Sequence, residues 1–497
     1  MMHDQRKSDG PVVPTKSPNN AGKPEAEAVE GRGPAEGNAD QDSPPRTQSR
    51  ISADAALSRV RQAAKRDRKA RLTALLHHVG IERLRTAFFS LEKKASAGID
   101  GVTWAQYACN LESNLQDLHA RLHRGAFRAK PSRRVYIPKA DGRQRPLGIA
   151  SLEDKLVQRA VVEVLNGIYE VDFLGFSYGF RPGRSQHDAL DTLSVGIRRK
   201  KVNWVLDADI RGFFDTLDHG WLMKFVAHRI GDRRLLRLIQ QWLSAGVLED
   251  GRWTSSEEGT PQGASLSPLL ANVYLHYVFD LWIKQWRKQP ARGEVIVVRY
   301  ADDFIVGFQH ESTARTFQVE LEARLRRFHL ELHPDKTRLI RFGAYAAAQR
   351  AERGEGKPET FGFLGFRHIC TKTRSGKYLV ARHTEAKRMH RKLRDIKSEL
   401  QRRWHIPVSE QGSWLRSVVT GFFQYYAVPT NSRRLDAFRH HVVRLWCRAL
   451  RRRGQRDRTS WERVGRLAQR WLPPPLILHP WPEARFDAKT FGKSPVR

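Results

Sequence analysis

Residues 204–209 read WVLDAD, an alternation that places Val205, Asp207 and Asp209 on one face and Leu206, Ala208 and the following Ile210 on the other. Period-two patterning predicts a β-strand. Two further apolar runs, VIVVRY before residue 301 and FIVGF after residue 303, have strand length and composition. Only Ala301, Asp302 and Asp303 separate them, so they predict a hairpin with the carboxylates at its tip. Upstream, RRVYIPKADGRQRPLGI reads as two short strands around Asp141-Gly142. Between Ala53 and Leu122 the apolar residues recur at helical spacing, interrupted by the loop KKASAGIDGVT. EDKLVQRAVVEVLNGIY is helical again, with Ser151 as the N-cap, and a helical, strongly basic pattern runs from Thr384 to about Leu450. The segment holding LPPPLILHPWP is broken by prolines and predicts extended chain, and no internal repeat is present. This order of elements predicts an α+β fold with an antiparallel hairpin at its centre.

Composition changes the picture in two ways. Residues 1–50 are rich in Pro, Gly, Ala, Glu, Asn and Asp and carry almost no large apolar side chains, which predicts a disordered tail. Across all 497 residues, 88 Lys and Arg face 53 Asp and Glu, a formal charge of +35. That excess points to a polyanionic partner. No apolar run approaches the ~20 residues that would span a bilayer, and the basic residues are spread along the whole chain, which favours nucleic acid over a membrane surface. Cys109, Cys370 and Cys447 lie far apart without a CxxC pair, so neither disulfides nor a four-ligand zinc site is expected, and a reducing, cytosolic setting follows.

Two adjacent carboxylates at a hairpin tip repel each other and resist burial unless a positive charge compensates. Taken alone, Asp302 and Asp303 read first as a solvated acidic turn. The second acidic strand alters that balance. If it lies beside the hairpin, Asp209 joins Asp302 and Asp303 around a divalent cation, and an all-oxygen donor set suits Mg²⁺. Two such ions would serve in-line phosphoryl transfer.

Three segments, DADIRGFFDTLDH, GTPQGASLSPLLANVYL and VRYADDFIVG, occur in that order. Together they resemble the successive palm motifs of reverse transcriptases, in particular the bacterial, endonuclease-lacking group II intron reverse transcriptase/maturases. The resemblance extends from roughly Lys94 to Leu450. It implies a right-hand polymerase with an antiparallel palm sheet followed by a helical thumb/maturase domain. The corresponding division is a tail over 1–50, a helical extension and start of the fingers over 51–130, and fingers and palm over 131–380. An RNA-binding thumb/maturase would cover 381–455, with a Pro-rich segment lacking an endonuclease domain over 456–497.

By the same resemblance Asp209, Asp302 and Asp303, with the backbone carbonyl of Ile210, hold two Mg²⁺ ions, and Asp207 only supports them. Asp215 and Asp218 read as local turn or cap residues. Phe214 sits under the sugar of the incoming nucleotide, although either Phe213 or Phe214 also reads as a core ring. Gln262 lies near the nascent base pair. Lys139 and Arg145 bind the triphosphate, with Arg143 a competitor, and Lys336 protonates the departing pyrophosphate. FGFLGFRH, from Phe361 to His368, resembles the hairpin that grips the primer end, and its aromatics suit packing equally well.

The implied partners are structured intron RNA, an RNA template with a DNA primer, deoxynucleoside triphosphates and target DNA, with a homodimer compatible. The implied setting is a nucleoid-associated ribonucleoprotein in a bacterial cytoplasm. Two other readings stay open: a retron-like or domesticated bacterial reverse transcriptase, and a non-catalytic RNA-binding splicing factor.

Overall fold

The structure, a computed structural model, describes residues 45–138, 144–249, 252–254, 258–260, 263–289, 292–453 and 459–490. The expected turn at Asp141-Gly142, Lys139, Arg143, Gln262 and the tail up to residue 44 lie outside the described residues. The strands, in chain order, are β1 (Ser132–Pro138), β2 (Gln144–Ile149), β3 (Trp204–Asp209), β4 (Val247–Glu249), β5 (Arg252–Thr254) and β6 (Val295–Tyr300). They continue with β7 (Asp303–Phe308), β8 (Arg338–Arg341), β9 (Phe361–Phe363), β10 (Phe366–Lys372) and β11 (Tyr378–Thr384). Among the described residues they form three sheets of order β2-β1-β4-β5, β6-β7-β3-β8 and β11-β10-β9. The central sheet, β6-β7-β3-β8, is antiparallel throughout. The first sheet is mixed, because β1 runs parallel to β4.

Strand alternation makes the central sheet a wall between two cores. Leu206, Ala208, Val297, Phe304 and Val306 face a cluster that includes the helices Leu152–Asp172, Ser267–Leu275 and Glu311–Arg326. Val205, Ile296, Val298, Ile305 and Ile340 face a second cluster. That cluster is built from the helices Gln186–Arg199, Ala386–Arg402, Val408–Tyr426 and Ser432–Arg451. Covering both faces explains why β6 and β7 are nearly continuous apolar runs.

Several local expectations hold. Ser151 caps the helix Leu152–Asp172, accepting from the Asp154 N–H, and Asp218 caps the helix His219–Arg229, accepting from the Trp221 N–H at 2.6 Å. Others need correction. Part of the stretch read as a tail is helical, since a helix covers Pro45–Arg66. Asp303 pairs with Tyr300 as the first residue of β7, so the turn consists of Ala301 and Asp302, and only Asp302 stands at the tip. The helix Ser267–Leu275 has Leu266 at its cap position and Pro268 in the first turn.

The C-terminal segment is not simply extended. Its described residues contain the helices Trp461–Trp471 and Pro482–Thr490, with Pro473, Pro474, Pro475 and Pro480 in the link between them and Pro482 opening the second. The second helix docks on Gln186–Arg199, where Arg199 forks onto Asp487 at 2.9 and 2.8 Å and Arg485 approaches the buried Asp191 at 3.3 Å. No helix among the described residues is long and apolar enough to cross a membrane.

Trp446 anchors the C-terminal helices, fully buried with its indole N–H donating to Gln411 Oε1 at 3.1 Å. Trp446→Ala is expected to lower stability by about 3–5 kcal/mol through the cavity it leaves. Trp461, 48% exposed, should change stability by no more than about 0.5 kcal/mol when replaced by Ala. Denaturant midpoints of the two variants measure both.

Candidate active site

The site grows from the register of β3 and β7. Asp209 lies directly opposite Asp303, and Asp207 opposite Ile305. Paired residues of adjacent antiparallel strands have Cα atoms about 4.5–5.5 Å apart and side chains on a common face. The carboxylates of Asp207, Asp209 and Asp303 therefore share the face that lower down packs into the second core. At the end of the sheet that core gives way to a cleft of about 1410 Å³, lined by these three residues and Asp302.

Beyond Asp209 the backbone is held in place by the segment before β8. The Asp209 carbonyl accepts from the His333 N–H at 2.8 Å, and the Arg211 N–H donates to the Glu331 carbonyl at 2.9 Å. Ile210 lies between these two bonds with its side chain buried, and it borders the cleft. Gly212, at φ +57°, turns the backbone into Phe213 and Phe214. Phe213 is a core ring, whereas Phe214 is half-buried on the cleft wall, the two meeting edge to face at 5.4 Å. Both rings border the cleft, Phe214 being the less buried of the two. The Phe214 carbonyl also accepts from the Thr260 N–H at 2.8 Å, which ties the loop around Gly263 to this turn.

Electrostatics dominate the floor. Burial, followed by repulsion from Asp207, Asp302 and Asp209, raises the Asp303 carboxyl well above the usual carboxylate range. Burial also pushes Asp207 up to about 6, against the pull of Arg338, whose Nη2 lies 3.6 Å from Asp207 Oδ2. Lys336 Nζ donates to Asp209 Oδ2. Among the described residues no three His, Cys, Asp or Glu side chains form a closed metal cluster. The donor chemistry nevertheless fits a hard divalent cation: oxygen-only carboxylates on adjacent strands, strained by mutual repulsion and now countered by side-chain cations.

The remaining expected residues divide. Arg145, on β2, lines the cleft, as do Gly263, Lys336 and, from the segment FGFLGFRH, Phe361, Gly362, Leu364 and Arg367. Phe361, Phe363 and Phe366 are also buried core rings, so that segment serves packing and cleft together. Sequence reasoning missed Phe180 and Gln186, and did not single out Arg388 and Tyr425, all of which border the cleft. The run GFRPGRS, residues 179–185, could have flagged the first two, because two glycines and a proline amid basic residues suit a backbone-close loop.

An antiparallel sheet that presents opposed aspartates, in a strongly basic mixed α/β protein, is an arrangement suited to a polymerase of nucleic acids. Residues 137–368 match the reverse transcriptase (RNA-dependent DNA polymerase) family. The sequence is 34% identical to Protein YkfC of Escherichia coli over 57% of its own length and 78% of that protein's. It is 41% identical to the Group II intron-encoded protein LtrA of Lactococcus lactis, over 36% of this protein and 31% of that one. It belongs to the reverse transcriptases related to these two proteins and carries an RNA-directed DNA polymerase domain. Its substrates are accordingly a nucleic-acid template with a primer, and deoxynucleoside triphosphates.

The raised Asp207 sets a pH dependence. Its folded pKa of about 6 exceeds the unfolded value of about 3.9, so the folded state binds the extra proton between these limits and loses stability as pH rises through them. In chelator-treated protein, Asp207→Asn is expected to flatten that fall and to stabilise the fold at pH 7 by up to about 2 kcal/mol. Unfolding midpoints of parent and variant at pH 4.5 and pH 7 measure the difference.

Proposed function

We propose that the protein is a right-hand polymerase that binds a group II intron RNA, assists its splicing and reverse-transcribes it by two-metal nucleotidyl transfer. The observation that carries the chemistry is the in-register opposition of Asp209 and Asp303 beside the Asp302 turn. In this reading the first sheet belongs to the fingers, the central sheet is the palm, and the helices from Ala386 onward form the thumb/maturase domain. Asp209, Asp302, Asp303 and the Ile210 carbonyl would hold two Mg²⁺ ions. When bound, such ions supply Lewis acidity that activates a primer 3′-hydroxyl and steadies charge on the departing pyrophosphate.

The protein's own residues do the rest. Arg145 can fork onto triphosphate oxygens from β2, at the mouth of the cleft. The Phe214 ring packs beneath the sugar and excludes a 2′-hydroxyl. Lys336 holds Asp209 until that carboxylate is required, and its Nζ can then pass a proton to the leaving group. Lys387 and Arg388, in the first turn of the helix Ala386–Arg402, border the cleft and suit contacts to primer or template phosphates. Lys139 and Gln262 are assigned their roles in triphosphate binding and at the nascent pair by resemblance alone.

The intron reading draws on the likeness to a group II intron-encoded protein and on the basic C-terminal helices, where eight Lys or Arg fall within residues 387–403. Mixed basic and aromatic surfaces suit the backbone and exposed bases of structured RNA.

Purified protein with Mg²⁺, an RNA template, an annealed DNA primer and deoxynucleotides should extend the primer. Asp302→Asn should abolish extension while leaving salt-sensitive RNA binding intact, and extension by this variant at the parental rate would remove Asp302 from the site. Phe214→Ala should raise ribonucleotide incorporation, read from competition assays. For the intron assignment, the DNA flanking the reading frame should fold as a group II ribozyme whose splicing the protein accelerates.

A further inference from the structure

Beneath the turn lies a buried polar group to which neither the family resemblance nor the proposed mechanism gives a task. Arg299, two residues before Ala301, is fully buried, and all five of its guanidinium N–H donors are used. Nε and Nη2 fork onto Asp280 Oδ1 and Oδ2 at 2.8 and 2.6 Å. Nη1 donates to Asn272 Oδ1 at 3.0 Å and Nη2 to Ser177 Oγ at 2.8 Å. The fifth donor, also on Nη1, reaches the backbone carbonyl of Ala301 at 2.9 Å. Ala301 has φ +58°, a left-handed conformation that a residue with a Cβ rarely adopts.

The same turn is gripped from outside. The Tyr178 N–H donates to the Arg299 carbonyl and the Arg299 N–H to the Phe176 carbonyl, each at 2.9 Å. Asn272 Nδ2 donates to the Gly179 carbonyl at 2.7 Å. Gly179 itself presses on the turn so closely that an added Cβ would lie 2.4 Å from the Ala301 nitrogen. Asp280 ends a π-helical stretch, His276–Asp280, an irregularity that lets a helix present a side chain off its normal spacing. Two segments distant in sequence, 176–179 and 272–280, thus converge on Arg299, whose Nη1 reaches the backbone carbonyl immediately before Asp302.

We propose that Arg299, seated on Asp280, Asn272 and Ser177, is a positioning residue that fixes the Ala301–Asp302 turn in the geometry required for Asp302 and Asp303 to share a metal site with Asp209. The proposal rests on the metal-site reading of those aspartates. Arg299 touches no substrate. Its effect passes through the Ala301 carbonyl, and it predicts that loosening the clamp weakens metal binding without weakening RNA binding.

The test uses full-length protein and Tb³⁺, a hard cation whose luminescence tyrosine sensitises, with Tyr300 beside the site. The double variant Arg299→Met with Asp280→Leu replaces a buried ion pair by apolar groups of similar volume, which folds preserve more readily than a half-removed pair. Gly179→Ala perturbs the turn from the opposite side and leaves the ion pair intact. Arg229→Met with Asp172→Leu removes a buried pair outside the Arg299 network, where Nε meets Oδ2 at 2.7 Å, and serves as the control.

Both clamp variants should raise the Tb³⁺ half-saturation concentration about tenfold, in the range typical of lost outer-shell support. The Mg²⁺ concentration for half-maximal primer extension should shift in parallel, with RNA affinity within about twofold of the parent. The control should lower the unfolding temperature with no shift in Tb³⁺ binding. Parental Tb³⁺ half-saturation in a folded Gly179→Ala or Arg299→Met/Asp280→Leu variant overturns the clamp alone, provided Asp302→Asn abolishes the signal. A signal indifferent to Asp302→Asn overturns the metal-site reading and the clamp with it.

Discussion

The mutual repulsion of carboxylates is the constraint around which this end of the molecule is organised. Pairing Asp209 with Asp303 across β3 and β7 places two negative charges within a few ångströms, with Asp207 and Asp302 close behind. In a half-buried setting such a set is unfavourable unless cations face it. The fold supplies them from separate elements: Lys336 on Asp209, Arg338 on Asp207, and Arg388 acting on Asp303. All three of these cations follow the hairpin in sequence, so the charge balance of the sheet depends on segments that arrive after it.

That constraint is tolerable because of where it falls. The face of β3 and β7 that carries the aspartates is, two residues further into the sheet, the apolar wall of a core containing Val205 and Ile305. Core packing holds the strands in register, and the open end of the same face becomes the cleft. A one-residue slip would turn the carboxylates into the opposite core, where Leu206 and Ala208 now sit. Hydrophobic burial and site geometry are therefore enforced by the same alternation.

The Arg299 network belongs to a different level of control. Register sets which residues oppose each other, while a two-residue turn retains freedom of its own. A fully satisfied buried guanidinium removes that freedom, because any shift of the Ala301 carbonyl would leave a donor without an acceptor in a region that water does not reach. The docking of the helix Pro482–Thr490 on Gln186–Arg199 extends the principle outward, since the N-terminal end of the latter helix, at Gln186, borders the cleft.

Alternation in WVLDAD, the apolar runs on either side of Ala301–Asp303 and the capping chemistry of Ser151 are local properties. The sequence by itself therefore determined the strands, the hairpin, several helix starts and the carboxylates that would meet if β3 lay beside β7. Its net charge pointed to a polyanionic partner. It did not determine that Asp303 enters the ladder, that Phe213 rather than Phe214 is the core ring, or that the stretch around LPPPLILHPWP is bounded by helices. Nor did it assign Arg299, which reads in sequence as one more basic residue of eighty-eight. Those outcomes depend on partners far away in the sequence: the neighbour strand that sets a pleat, the helix face that receives a ring, the acceptors at Ser177, Asn272 and Asp280. Only tertiary structure decided them, because local pattern encodes which way a side chain points and not what it meets there.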